Sequence, residues 1–581
     1  MLLLSGVAPL AAQEEEADPP EITIGERLFL ETRFAQAFKA YLDAGGAVSA
    51  PIEQGDPALE SLATTGDPLP GPFAGQTFNC RNCHMVDELA DAEGGGMRTY
   101  ADYARRSLVP VREDGLTTTV RNSPSLVNAS QARSGGLIFH LDGEFSSMED
   151  LVRGTLAGRN FGWLPGEGGQ APGHVARIVR EDDGAGELAV EFGALPYAVT
   201  LTGTDPSIPA ELVLPEEFRV DVATASDAEI FDAVAKLIAA YTVDLSFATD
   251  DSGSFSRSPY DVFLAANELP RKPRVGESPL DYSRRLLTLI RNAENAGSLQ
   301  LIYSDPETHV GSFAFHDQGF VFGNRELLGL KIFFSEPAGA AATASETTAG
   351  GRGACIRCHS APLFTDFRFH NTGVTQVEYD SIHGDGAFSA LVIPGFEARQ
   401  GEPDRYLPAN DERPGAMQPF FRTPSADHPG WVDLGAWNMF ANPDVARPQG
   451  KMWRTFCEPE LLEARPELAR RSRARLDVLL NSYMMREDRD FSPCKREELL
   501  PRTVAAFKTA GLRDLGHSNP YMHNGAFDSL SSVLVHYMNA AELTHANRLR
   551  NPARDLGAVA ITKIDVDPLV AFLRALNEDY N

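Results

Sequence analysis

No stretch of this 581-residue chain reaches the roughly 18 consecutive apolar residues that a membrane span needs. Positive charge is short: 52 Lys and Arg against 81 Asp and Glu leave a formal charge of −29. Such a surface repels nucleic acid and anionic membranes and argues against both as partners, while it can steer a basic protein toward it. Cysteine is scarce, six in all, and four of the six fall in two copies of one pattern, CRNCH at 80–84 and CIRCH at 355–359. Hydrophobic residues at 43% and aromatics at 9% suffice for real cores, and the length suggests two or three domains.

The first residues, MLLLSGVAPLAAQEEE, read as the apolar end of a secretory leader, with Ala11 and Ala12 before an acidic stretch. A basic leading segment is missing, which fits a mis-assigned start; the alternative is a disordered N-terminus. The expectation is a leader remnant over 1–12 and a soluble, periplasmic protein. The two remaining cysteines, Cys457 and Cys494, can pair as a disulfide in an oxidising compartment or stay as separate buried thiols.

Along the chain, ITIGERLFLETRFAQAFKAYL opens the folded part with helical apolar spacing. Ser146 or Ser147 can cap a helix beginning near MEDL, with Glu149 and Asp150 in its first turn. Residues 186–220, rich in Val, Pro and Gly, read as irregular structure with a β-hairpin. DAEIFDAVAKLIAAYTVDL returns to helix, and a loop-rich connection with one helical piece, DYSRRLLTLIRNAENA, leads to about residue 320. NRELLGLKIFF at 324–334 then echoes IGERLFL at 24–30, each leading toward a CxxCH. An Ala/Thr/Gly run at 338–353 reads as a flexible loop. The chain therefore looks like a distant duplication of a helical unit.

CxxCH is the attachment pattern of c-type haem. On a helical turn, two cysteines three apart present both sulfurs to one porphyrin edge, and the following histidine reaches the iron. The pattern makes Cys80, Cys83, Cys355 and Cys358 the attachment residues and His84 and His359 the proximal iron ligands of two covalent haems. A redox CxxC needs a thioredoxin-like βαβ context that is missing here. A zinc site would leave both histidines unexplained.

Beyond the motifs, GERLFL, CRNCH, VRNSPSLVN and DGEFSSMEDLV in the first half have counterparts in a known family. So do LLGLKIFF, CIRCHSAPLFTDFRFHNTGV, VDLGAWN and FKTAGLRDLGHSNPYMHNGAF in the second. With these segments the chain resembles bacterial di-haem cytochrome c peroxidases, a superfamily that includes MauG-like enzymes. The resemblance covers 24–163 and most of 321–581 and is weak through 164–320.

It implies a mainly α fold of two facing cytochrome c-like domains with long loop insertions. These are an N-terminal domain over 13–262 with an insertion near 164–226, a connecting segment over 263–320, and a C-terminal domain over 321–581. It implies hydrogen peroxide or oxygen bound at the first haem, with electrons passing through the second. The partner is a small redox protein donor or an oxidisable protein substrate. It also implies a calcium ion between the domains, on Asn122 and on Ser518 and Pro520 through backbone oxygens.

Four departures from the family sharpen the expectation. No histidine lies between His84 and His140, so the first iron is five-coordinate or is capped by Met97, Tyr100 or Tyr103. AGRNFGW at 157–163 holds no distal carboxylate, leaving His140, Glu144 and Arg159 as candidates to move a proton or stabilise charge, with Arg159 also suited to a haem propionate. Leu141 takes the place of the inter-haem tryptophan, for which Trp163 is either a substitute or a core residue. The sixth ligand of the second haem falls at Tyr537, the MauG-like choice, with Met538 beside it as the alternative. His523 matches a histidine that hydrogen-bonds near the second haem, and His370 matches a structural one.

The expected function is thus a peroxidase-type oxidoreductase. A haem dioxygenase resembling rubber oxygenases and a non-catalytic electron carrier are the alternatives.

Overall fold

The helices that open the two halves each carry a glycine where any side chain would collide with a second helix. The computed structural model describes residues 18–48, 79–80, 83–84, 88–90, 96–98, 106, 109–131, 136–306, 309–313, 316–445, 447–470, 473–484 and 494–578. In it, the Pro20–Leu30 helix crosses the Asp227–Asp244 helix at Gly25, where a Cβ would overlap the Leu237 carbonyl oxygen. The Asn324–Phe334 helix crosses the Lys563–Arg574 helix at Gly329, where a Cβ would overlap the Pro568 carbonyl oxygen. Both crossings bring apolar helix faces together at backbone distance, so each half is built on the same close pair. The expected leader and the loop holding Tyr100 and Tyr103 lie outside the described residues, as does the side chain of Met97.

The fold is mainly α. One apolar core draws on residues from Ile22 to Phe255 and a second on residues from Tyr260 to Leu576. The Met148–Leu156 helix begins as its sequence suggests, with Ser147 Oγ accepting from the Asp150 amide at 3.1 Å. The hairpin expected over 186–220 is not formed. That stretch holds the short helices Glu187–Glu191 and Tyr197–Thr202 and two 3-10 turns. A small antiparallel pair lies elsewhere, Glu88–Ala90 with Gly96–Arg98.

A buried charge cluster overrides the weak local signal in that region. Arg27 Nη2 is 3.1 Å from Asp182 Oδ2 and the Arg27 guanidinium stacks 3.9 Å from the Tyr197 ring; the Tyr197 hydroxyl donates to Glu31 at 2.9 Å. The segment is thereby bolted to the opening helix.

Two helices, Pro259–Ala266 and Pro279–Asn295, occupy the region read as loop-rich with one helical piece. Tyr260, Phe263 and Leu264 of the first belong to the C-terminal core. The run read as a flexible loop contains the helix Ala344–Ala349, capped by Thr343 with Glu346 reaching back.

A third core was not legible at all. Strands Phe369–His370 and Phe507–Lys508 pair antiparallel, and almost everything between them packs on a core of its own, including Val432, Trp437, Trp453 and Leu480. Cys457 and Cys494 form a disulfide within it, with Cα atoms 5.0 Å apart. This inserted unit leans on the first half: Lys451 Nζ donates to the Leu137 carbonyl at 3.0 Å, Arg106 pairs with Glu378 at 2.7 Å and the Gly166 amide donates to Asp411 at 2.8 Å.

The deepest fastening is Arg121. Its Nε and Nη2 donate to Asp433 of the inserted unit at 2.5 and 2.8 Å, and its Nη1 lies 2.5 Å from Asp142. Phe421 and Phe507 flank the guanidinium at 4.8 and 5.5 Å.

Two stability predictions follow from these contacts. Gly329→Val forces the helix pair apart and lowers stability by about 1–3 kcal/mol, an overpacking penalty read as a drop in denaturant midpoint. Arg121→Met strands two buried carboxylates and costs about 3–5 kcal/mol, part of which Asp433→Asn in the same chain recovers. A loss below about 1 kcal/mol for Arg121→Met would mean the cluster is not buried as described.

Candidate functional site

The two CxxCH segments fold into the same turn. In the first, the amides of Cys83 and His84 donate to the Cys80 carbonyl at 3.1 and 3.0 Å. In the second, the amides of Cys358 and His359 donate to the Cys355 carbonyl at 3.2 and 2.7 Å. Each turn hangs from the end of its crossing helix, Cys80 N on the Phe29 carbonyl and Ala354 N on the Ser335 carbonyl. None of the four cysteines is in a disulfide, and burial pushes Cys80 and Cys355 up to about 12, with the neighbouring cysteine adding to it.

Both histidines are held neutral, as an iron ligand must be. Burial pushes His84 down to about 4 and the field of His140 adds to it, with the nearby Pro124 carbonyl opposing. Its Nδ1 is buried and makes no hydrogen bond among the described residues. Burial likewise lowers His359, whose Nδ1 is 2.9 Å from the Phe364 carbonyl. That bond makes Nδ1 the donor and leaves the Nε2 lone pair for a metal.

His359 faces a largely apolar cavity of about 360 Å³ walled also by Cys355, Cys358, Leu534 and Tyr537. The structure separates the two candidates for the sixth ligand. Tyr537 lines the cavity, close enough to the Cys358 and Cys355 sulfurs for their charge to add to burial in raising its phenol. Met538 turns away and packs on the C-terminal core. His370 also lines the cavity, its Nε2 2.8 Å from Asp366 Oδ2. His523 is there too: its ring stacks on Phe507 with centroids 3.6 Å apart, and its Nε2 lies 3.3 Å from the Thr375 hydroxyl. The N-terminal half contributes a wall through Asn122, Val127, Asn128 and Leu141, so the two halves meet across this cavity. Trp163 is not part of that wall; it is buried in the N-terminal core, edge-on to His174.

Among the described residues, His140 is near enough to His84 for its field to act there. His140, in a left-handed backbone conformation at φ 59°, places Nδ1 3.0 Å from Glu144 Oε2. Asp142 lies between them in sequence, and one ligand-type atom from each of the three falls within 4.8 Å of the others. Asp142 is fully buried, and apart from the Arg121 ion pair neither carboxylate oxygen is hydrogen-bonded in normal geometry. Burial raises its carboxyl despite Arg121, whereas Asp433 is held below the ordinary range because burial is outweighed by the same arginine. One guanidinium is shared between two buried carboxylates, and of the two it is the Asp142 carboxyl that is raised. The sequence signal for Asp142 was its place in the DG motif, and its burial was the missing part.

Arg159 is engaged through two of its three guanidinium nitrogens. Its Nε and Nη2 donate to Asp114 at 2.7 and 2.9 Å, leaving only Nη1 buried without a partner among the described residues.

The three residues expected to hold calcium do converge on the cavity. Asn122 Nδ2 donates to the Pro520 carbonyl at 2.6 Å, the Asn122 amide donates to the His523 carbonyl at 2.7 Å, and the Ser518 hydroxyl reaches Leu515 O at 3.4 Å. The set is neutral, with no carboxylate to match a hard cation, and the Asn122–Pro520 bond already ties the halves.

No family model matches the chain. Among curated proteins, it is 37% identical over 78 residues to cytochrome-c peroxidase IdrP2 of Pseudomonas sp. (strain SCT), covering 13% of this chain and 19% of that one. It is 32% identical over 72 residues to methylamine utilization protein MauG of Methylophilus methylotrophus, covering 12% and 20%. The matched stretch thus spans about a fifth of the length of each curated relative. Among solved structures, a MauG-like protein associated with microbial copper homeostasis aligns over 99% of this chain and 95% of its own at 15% identity and a TM-score of 0.40. The diheme peroxidase BthA from Burkholderia thailandensis E264 aligns over 99% and 89% at 15% identity and a TM-score of 0.35. Through the two local sequence matches, the chain resembles the MauG-like di-haem peroxidase superfamily.

Proposed function

We propose that the chain is a periplasmic di-haem c-type oxidoreductase that takes hydrogen peroxide at the N-terminal site and passes electrons through the C-terminal one. One observation carries the reading: two like CxxCH turns sit in unlike surroundings. Beside His84 lies a cluster that can hold and move protons, and beside His359 lies an apolar cavity with a phenol. Haem bound at the two motifs would supply the redox centres and the iron at which peroxide is cleaved.

The protein's own part is proton handling and orientation. Splitting peroxide heterolytically requires a proton to move from the inner to the outer oxygen. Glu144 anchors the His140 ring through Nδ1 and leaves Nε2 to exchange that proton. Asp142, buried beside it with its carboxyl raised by burial, is the second acid of the cluster. Arg121 supplies fixed positive charge to the same pocket without a proton to lose. The Tyr537 position favours the MauG-like variant, in which an oxidisable protein is the substrate, over a peroxidase fed by a small redox protein.

Electron paramagnetic resonance of the oxidised holoprotein is expected to show one high-spin and one low-spin haem, with peroxide perturbing the high-spin signal. Two low-spin haems inert to peroxide would overturn the proposal in favour of an electron carrier. Tyr537→Phe is expected to change the low-spin signal while Met538→Leu leaves it intact; the reverse pattern removes Tyr537 as ligand. His140→Gln is expected to slow the reaction with peroxide by roughly a hundredfold or more, the usual worth of a positioned acid–base group, without altering haem content.

A further inference from the structure

A second cavity, of about 670 Å³ and open to solvent, lies between the Pro279–Asn295 helix, the end of the Asn324–Phe334 helix and the turn at 349–352. Three arginines line it, Arg284, Arg291 and Arg352, against one acid, Glu336. In a chain of charge −29 that local excess runs against the average composition.

The acid is fully committed. Glu336 accepts from Arg284 Nε at 2.7 Å and Nη2 at 3.0 Å, and from Arg357 Nε at 2.8 Å. Those two arginines outweigh burial and hold its carboxyl below the ordinary range.

The other two cations have no bonded acid among the described residues, and Arg352 reaches Glu346 only through its field. Arg291 Nη2 donates to the neutral Ser335 hydroxyl at 2.8 Å. The half-buried Arg352 uses its backbone to pair with Ala560, but its guanidinium makes no hydrogen bond or ion pair among the described residues. The nearest acids are occupied: Asp565 accepts from Thr562 and from the Gly351 amide, and Glu346 caps its own helix through Thr343. Gly351, at φ 76°, has no atom within 4 Å of where a Cβ would stand, so the wall beside Arg352 is open.

We propose that this cavity binds a small polyanion carrying carboxylate or phosphate groups, held by Arg352 and Arg291 with Arg284 at the rim. A planar guanidinium fork pairs bidentately with either group, and both fit a cavity of this size. The site adjoins the C-terminal haem motif, since Arg357, which shares Glu336, stands between Cys355 and Cys358. It does not depend on the reaction at the N-terminal site.

Isothermal titration of the holoprotein with pyrophosphate and with citrate, at ionic strength fixed with sodium chloride, tests it. Saturable one-site binding of at least one of them is expected, weakened about tenfold or more by Arg352→Gln and by Arg291→Gln, because each removes charge-assisted hydrogen bonds. Preference for pyrophosphate assigns phosphate chemistry, and preference for citrate assigns carboxylate chemistry. Circular dichroism unchanged from wild type excludes misfolding of the variants. The proposal is overturned if millimolar concentrations of both anions give no binding, or if both variants bind as wild type. It is also overturned if an acidic redox protein, and no small anion, shows the arginine dependence.

Discussion

Arg121 stands between two buried carboxylates that belong to different parts of the molecule, Asp142 of the first half and Asp433 of the inserted unit. Buried ion pairs contribute little beyond what apolar packing would, but removing one member leaves charge stranded in low dielectric. The consequence is positional. With Arg121 fixed, its neighbour Asn122 is placed to bond Pro520 and His523, and the loop from 120 to 128 becomes a wall of the C-terminal cavity. Two parts of the fold are thus registered on one side chain, and its neighbour Asn122 reaches the third. The same shared guanidinium leaves the Asp142 carboxyl raised beside His140, so the structural fastening and the proposed acid cluster have one electrostatic origin.

Repetition with divergence describes the rest. Gly25 and Gly329 let each opening helix touch its partner at backbone distance, and each helix end then supplies carbonyls that hold a CxxCH turn. The repeated frame makes two equivalent attachment points. What differs is the surroundings. His140, Asp142 and Glu144 gather at one, while Tyr537 and apolar residues surround the other. Two haems on the same scaffold can therefore serve different chemistry, because pKa and ligand access follow from burial and neighbours rather than from the attachment motif.

Local signals in the sequence were read where local physics decides. The Ser147 cap, the turn geometry of both CxxCH motifs and the helix carrying Tyr537 and Met538 all depend on residues within a turn or two. Residues 186–220 misled because their Pro and Val content suggests strand and turn. Their helical pieces are instead held by Tyr197 and by Asp182, just ahead of them, reaching Glu31 and Arg27 far away. The inserted core between Phe369–His370 and Phe507–Lys508 was invisible for the same reason: its closure is a strand pairing between segments distant in the chain.

The sequence by itself determined the two CxxCH turns and the histidines beside them, since each is a matter of residue type at fixed short spacing. Only the tertiary structure decided that Tyr537 rather than Met538 faces the cavity, that Arg159 is taken by Asp114 and that Asp142 is buried between an arginine and a histidine. Which way a side chain faces, and which charge it meets, is set by packing between distant segments, and no local pattern records that.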